Sequence, residues 1–121
     1  MKSHDSVLII DDEAEICFLL ANLLKRKKME TFIAHTLVDG YHKLNAETKV
    51  LFLDINLPDG SGLDLLKKVR QEYPGLKIII ISAYDGENER SEARQNGADA
   101  FIGKPFSSNA VFKTMDELMT A

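Results

Sequence analysis

The chain has one cysteine, Cys17, in 121 residues. No disulfide framework can be built on it, and a reduced, cytoplasmic setting fits best. Also missing is any apolar run approaching the ~18 residues of a membrane span, and no signal-peptide pattern precedes Val7. Internal repeats, linkers and low-complexity tracts are absent, so residues 1–121 read as one domain around one hydrophobic core. Positive charge is the minority sign. Lys and Arg number 15 against 19 Asp and Glu, a formal charge of -4, which argues against direct nucleic-acid binding. The one basic run, Lys25-Arg26-Lys27-Lys28, falls where a helix should end and reads as a solvated complement to the helix dipole. What remains is ordinary for a globular chain, 45% hydrophobic and 28% charged.

Short apolar runs alternate with helical periodicity along the whole length. Ser6–Ile10 reads as a strand running into Asp11 and Asp12. Residues 13–27 carry Ile16, Leu19, Leu20, Leu23 and Leu24 at the spacing of an amphipathic helix, with Asp12 and Glu13 at its cap and first turn. Glu30–Ala34 is an edge-like strand, and residues 36–45 a short helix capped by Thr36 and weakened by Gly40. Residues 50–53 form a buried strand ending at Asp54. The turn residues Asp59 to Gly62 follow, then a helix over 61–72 closed by Pro74-Gly75. Residues 78–81 are four isoleucines that end at Ser82. The polar helix over 87–96 stops at Gly97 and has only Ala93 as a clear anchor. It is either a plain surface helix or one held loosely enough to move. A fifth strand, 100–102, runs into Gly103, Lys104 and Pro105, and Ser107 or Ser108 caps a last helix to about Met119.

Strict βα alternation with short connections calls for a three-layer α/β sandwich, a parallel five-stranded sheet with helices on both faces. In the flavodoxin-like order 2-1-3-4-5 the switch point lies between the first and third strands. Those strands end in Asp11, Asp12 and Asp54, and the same sheet edge receives Ser82 and Lys104. Three carboxylates so close repel, and one must protonate unless a cation joins them. Oxygen donors without His or Cys select a hard ion, Mg²⁺ first, with Mn²⁺ or Ca²⁺ behind it. With a divalent ion and Lys104 the three acids reach neutrality, which lets a phosphoryl dianion enter. An Asp carboxylate can then act as nucleophile toward phosphorus, while the cations and the Ser82 hydroxyl meet the equatorial oxygens.

Four segments carry a family resemblance: Asp11-Asp12-Glu13, Asp54-Ile55-Asn56-Leu57-Pro58 with Gly62, Ser82-Ala83, and Gly97-Ala98-Asp99 running to Lys104-Pro105-Phe106. Each alone is weak. In this order and spacing the chain, over 7–119, resembles a response-regulator receiver domain of two-component signal transduction, CheY-like. The resemblance implies that Asp54 is the phosphoacceptor, and that Asp11, Asp12, Asp54 and the Asn56 backbone carbonyl hold Mg²⁺. It implies that Ser82 and Lys104 contact the phosphoryl group, and that Ser82 and Phe101 form the switch. The phosphoryl group would come from a sensor histidine kinase or a phosphotransfer protein. Output would pass through the last two helices and fifth strand to an output protein, an effector domain or a phosphorylation-dependent dimer. Such a domain catalyses only its own phosphorylation and slow hydrolysis, so the resemblance implies a signalling domain rather than an enzyme.

Particular residues refine this picture. Phe101 has no hydroxyl, so it can pack inward but cannot hydrogen-bond across the face as a Tyr could; it reads as a moving switch or a static core residue. Asn56 and Tyr84 occupy the family positions that influence phosphoryl lifetime, and a Lys104-Pro105 cis bond is common there. Lys28-Met29 departs from the family, which commonly ends the first helix on Gly. Phe18 lies off the first helix's apolar stripe and reads as a kinase-docking or idle surface aromatic, and Phe112 and Met119 as an output or dimer face. His4, His35 and His42 show no ligand spacing and read as solvated. Starting at Met1 with a short leader, the chain reads as a receiver at a natural N-terminus, free-standing or cut from a longer regulator or hybrid kinase.

Rival functions fare worse. A Mg²⁺-dependent phosphohydrolase with an aspartyl-phosphate intermediate usually carries an acid two residues after its nucleophile, where this chain has Asn56. A flavin module needs a phosphate-cradling loop after the first strand, where Asp11-Asp12-Glu13 would repel phosphate. A phosphorylation-independent receiver-like interaction module would not need the full acidic set.

Overall fold

All five residues of β1 (Ser6–Ile10) are buried, as are six of seven in β3 (Thr48–Asp54) and five of six in β4 (Lys77–Ser82). Such runs are stable only as central strands covered on both faces. The computed structural model, which describes residues 5–120, places them there. With β2 (Glu30–Ala34) and β5 (Ala100–Gly103) at the edges they form one parallel sheet in the order β2-β1-β3-β4-β5. This is the flavodoxin-like order expected from the sequence. His4 lies outside the described residues. No helix among them is long and apolar enough to cross a membrane.

The period of two along each strand sorts the core into halves. Leu8, Ile10, Leu51, Leu53, Ile78 and Ile80 face α2 (Leu37–Lys43), α3 (Gly62–Glu72) and α4 (Glu87–Gln95), meeting Leu65, Leu66, Val69 and Ala93. Val7, Ile9, Val50, Phe52, Ile79 and Ile81 face α1 (Ala14–Leu24) and α5 (Ser108–Met119), meeting Cys17, Leu20, Leu24, Val111 and Met115. Each fully buried aliphatic side chain contributes about 1.5–3 kcal/mol.

The buried line of α1 differs from the apolar stripe of the sequence. It runs Cys17-Leu20-Leu24, while Leu19 is 43% exposed beside Phe18 at 70%. Cys17 acts as a small hydrophobe and turns the helix so that Ile16 and Leu23 flank the core on one side only. The basic run is not simply solvated either. Lys27 pairs with Asp116 on α5, and Arg26 and Lys27 lie 5.7 and 5.6 Å from the centroid of the Phe112 ring. Phe112 is thereby half-buried, leaving Met119 as the exposed apolar residue of α5.

Local chemistry sets the helix ends. Thr36, Ser61 and Ser107 accept hydrogen bonds from the backbone N–H of Asp39, Leu63 and Ala110 at 3.1, 3.2 and 3.1 Å, which settles the α5 cap on Ser107. Asp59 adds a second cap to α2 from another loop, accepting from Leu37 and Val38 N–H at 2.9 and 3.1 Å, and these bonds hold its carboxyl below the usual carboxylate range. The two-residue antiparallel pair Asn56–Leu57 with Gly60–Ser61 carries Asp59 into place. At the far end of the sheet the Arg70 guanidinium donates to the carbonyls of Gly97 (2.9 Å), Leu76 (2.8 Å) and Pro74 (3.0 Å) and to Asp99 Oδ2 (2.6 Å). Asp99 in turn accepts from Ile78 N–H at 2.8 Å.

A short 3-10 turn, Lys25–Lys27, follows α1, and Lys28 closes it in the left-handed region at φ 58°, ψ 32°. A residue with a Cβ is strained there by roughly 1–2 kcal/mol. Part of that is offset by glycine's larger entropy loss. Lys28→Gly is therefore expected to stabilise the fold by about 0.5–1 kcal/mol, read as a higher urea midpoint at unchanged slope.

Candidate functional site

Parallel strands deliver their carboxyl ends to one edge, so residues distant in sequence meet there. Asp11 follows β1, Asp54 ends β3, Ser82 ends β4 and Lys104 follows β5; Asp11, Asp54 and Ser82 are buried and Asp12 is exposed. Carboxylate oxygens of Asp11, Asp12 and Asp54 lie within 4.8 Å of one another. Lys104 Nζ stands 2.9 Å from Asp11 Oδ2 and 3.3 Å from Asp54 Oδ2. The peptide bond between Lys104 and Pro105 is cis.

The backbone around each acid is fixed. Asp11 Oδ1 accepts from Glu13 N–H at 2.8 Å, so this carboxylate, not that of Asp12 or Glu13, serves the start of α1. Asp54 Oδ1 accepts from Asn56 N–H at 3.3 Å. Gly62 N–H donates to the Ile55 carbonyl at 2.6 Å, and a Cβ on Gly62 would stand 2.3 Å from the Asp54 carbonyl oxygen. Only glycine lets α3 start this close behind Asp54. Ser82 Oγ accepts from Tyr84 N–H at 3.0 Å, which leaves its own proton free to donate. Phe101 is half-buried, with the Arg90 guanidinium carbon 4.8 Å from its ring centroid. It packs on the α2–α3–α4 side of the sheet.

Burial raises the Asp54 pKa, and the Asp11 charge adds to that, against the Lys104 ammonium and the Asn56 amide. For Lys104 burial works the other way, but Glu13, Asp11 and Asp54 outweigh it and hold its pKa above the ordinary lysine range. Asp11 Oδ2, although ion-paired with Lys104, accepts no hydrogen bond among the described residues. A buried carboxylate oxygen without a hydrogen bond, beside two more carboxylates, has the donor chemistry of a hard divalent cation. These residues fit Mg²⁺.

Two features escape the sequence reading. Glu13 Oε1 accepts from Lys104 Nζ at 2.6 Å, the shortest contact that lysine makes. Its place in the Asp-Asp-Glu triplet was the available signal, but it reads there as a helix cap. His35 is exposed, as expected, yet its Nδ1 donates to the Asp11 carbonyl at 2.9 Å, and the Cys17 thiol donates to the same oxygen at 3.3 Å. Burial, reinforced by Asp11, pushes that thiol up to about 11, so it stays a donor at neutral pH. His42 is exposed beside Tyr41, 6.2 Å between ring centroids.

Known proteins resemble this chain in sequence and fold. The family model described as the response regulator receiver domain matches residues 7–116. A probable transcriptional regulatory protein of Mycobacterium tuberculosis, TcrX, is 33% identical over 118 residues, covering 94% of this chain and 49% of its own length. The chain thus spans about half of that relative. The chemotaxis protein CheY1 of Helicobacter pylori is 33% identical over 118 residues, 93% of this chain and 95% of its own. Among solved structures, a CheY-like receiver domain protein from Methanospirillum hungatei superposes with a TM-score of 0.87 at 31% identity, covering 95% of this chain and 93% of that one.

Proposed function

Since the chain belongs to the response regulator receiver domain family, we propose that Asp54 accepts a phosphoryl group from the phosphohistidine of a sensor histidine kinase or phosphotransfer protein. The chain would act as a single receiver domain in the cytoplasm. The observation that carries this reading is a buried carboxylate, Asp54, set between the Lys104 ammonium and a partly unbonded Asp11.

An Asp54 oxygen attacks phosphorus in line, the new O–P bond forming as the P–N bond to the donor imidazole breaks. Lys104, held cationic by its acidic neighbours, meets the charge on the equatorial oxygens. Ser82 can turn its free O–H proton toward one of them. Asp11, Asp12, Asp54 and the Asn56 backbone carbonyl would hold Mg²⁺ or Mn²⁺, which supplies positive charge to the transferring group when bound. Hydrolysis of the acyl phosphate by water then returns Asp54 to its carboxylate. Output would leave through α4, β5 and α5, with Ser82 and Phe101 as the switch, toward an output protein, an effector domain or a second copy of the chain.

Intact mass after incubation with Mg²⁺ and acetyl phosphate tests the reading. One added phosphoryl group is expected on wild type, none without Mg²⁺ and none on Asp54→Asn. An adduct that survives in Asp54→Asn, or a wild type that takes up neither phosphoryl nor beryllofluoride, would overturn it. The same variant has a second expected signature. Because the folded pKa of Asp54 lies above its unfolded value, its charge opposes folding once the pH has risen through that folded pKa. In Mg²⁺-free buffer Asp54→Asn should melt above wild type at neutral pH, and the gain should vanish below the unfolded carboxylate pKa.

A further inference from the structure

Resting on the phosphoacceptor reading, we propose that Glu13 is a tuning residue that holds Lys104 back from the phosphoryl site while favouring the cation. An ammonium has three protons to donate. Lys104 Nζ gives one to Glu13 at 2.6 Å and one to Asp54 at 3.3 Å, and its ion pair with Asp11 at 2.9 Å crowds the remaining side, so three carboxylates already compete with a phosphoryl oxygen for it. One contact must open before Lys104 can serve the transferring group. The Asp11 and Asp54 side chains are 0% and 7% exposed and fixed by backbone amides, whereas that of Glu13 is 58% exposed and able to swing into water. Glu13 is therefore the partner that yields, and its hold on Lys104 must be broken at each phosphorylation.

Charge points the same way. Counting Glu13, the edge carries four acids, Asp11, Asp12, Glu13 and Asp54, against Lys104. A divalent cation then leaves one negative charge over instead of neutrality. Glu13 attracts the cation and repels the incoming dianion, so removing its charge should move the two binding steps in opposite directions. A side chain that merely decorated the surface would move neither.

Two substitutions separate the charge from the grip. Glu13→Gln removes the charge and keeps the shape; Glu13→Asp keeps the charge but shortens the reach to Lys104. Titration calorimetry with Mg²⁺ alone should show a dissociation constant raised roughly three- to tenfold in Glu13→Gln and near wild type in Glu13→Asp. At saturating Mg²⁺, acetyl phosphate should modify both variants faster than wild type by intact mass, by roughly threefold for the loss of one exposed ion pair. Unchanged Mg²⁺ affinity in Glu13→Gln, or transfer that is equal or slower in both variants, overturns the proposal. A wild type that takes up neither phosphoryl nor beryllofluoride would overturn the phosphoacceptor reading and this one with it. A wild-type adduct with unchanged variants overturns the role of Glu13 alone.

Discussion

Lys104→Met is expected to slow phosphoryl uptake from acetyl phosphate by about 100-fold or more, the typical effect of removing one preorganised donor from developing charge. In Mg²⁺-free buffer the same substitution should cost about 3 kcal/mol of stability, because it leaves buried acids without their cation. The side chain is only 10% exposed, and it stands between Asp11 and Asp54, themselves almost fully buried. Methionine fills a similar volume, so the loss is one of charge rather than of packing. Added Mg²⁺ should restore most of the stability, by neutralising Asp11 and Asp54, and little of the rate. Urea unfolding with and without Mg²⁺, beside the mass assay, reads both effects. A variant as stable as wild type in Mg²⁺-free buffer would mean that Lys104 does not hold the acids together. Because its folded pKa is raised, the contribution of Lys104 is fully present below the unfolded lysine pKa and fades only as the pH rises through the higher folded value. Stability should therefore show no lysine-linked step near neutrality.

Arg70→Ala is expected to cost about 3–4 kcal/mol, as several carbonyls and a carboxylate lose their donor at once. The guanidinium serves Gly97, Pro74 and Leu76 carbonyls and Asp99, and Asp99 holds the Ile78 amide at the start of β4. Arg70→Lys should rescue little, since an ammonium cannot reproduce the planar fork. Urea midpoints check both variants. Arg70 lies at the sheet edge opposite Asp54, so the folded Arg70→Ala protein should take up phosphate at the wild-type rate. A slowed rate in the folded fraction would show that the two edges are coupled.

The strand ends were legible because apolar runs that stop on a polar residue need only local pattern, and parallel alternation then forces those residues onto one edge. Asp11, Asp12, Asp54 and Lys104 converge for that reason. The phase of α1 was not legible, because Cys17 competes with Leu19 for the core and only the packed neighbours decide it. Glu13 with Lys104, Arg70 with its carbonyls, and Asp59 on α2 are links between distant segments. Each of these side chains looks locally like ordinary surface charge, and no periodicity announces its partner. The same holds for His35, whose role depends on where the Asp11 carbonyl points.

The missing side chain at Gly62 has a mechanical meaning. With no atom to spare between α3 and the Asp54 carbonyl, and a 2.6 Å hydrogen bond from Gly62 to Ile55, the Asp54 main chain is butted against the first turn of a helix that sinks Leu65, Leu66 and Val69 into the core. The start of α3 behaves as a stiff abutment. On the same face, over β4 and β5, α4 is moored by Ala93 as its one buried residue and is the more weakly anchored member. Load generated at Asp54 by a new covalent group would be reflected by α3 and relieved through α4. Gly62 would then direct strain as well as make room.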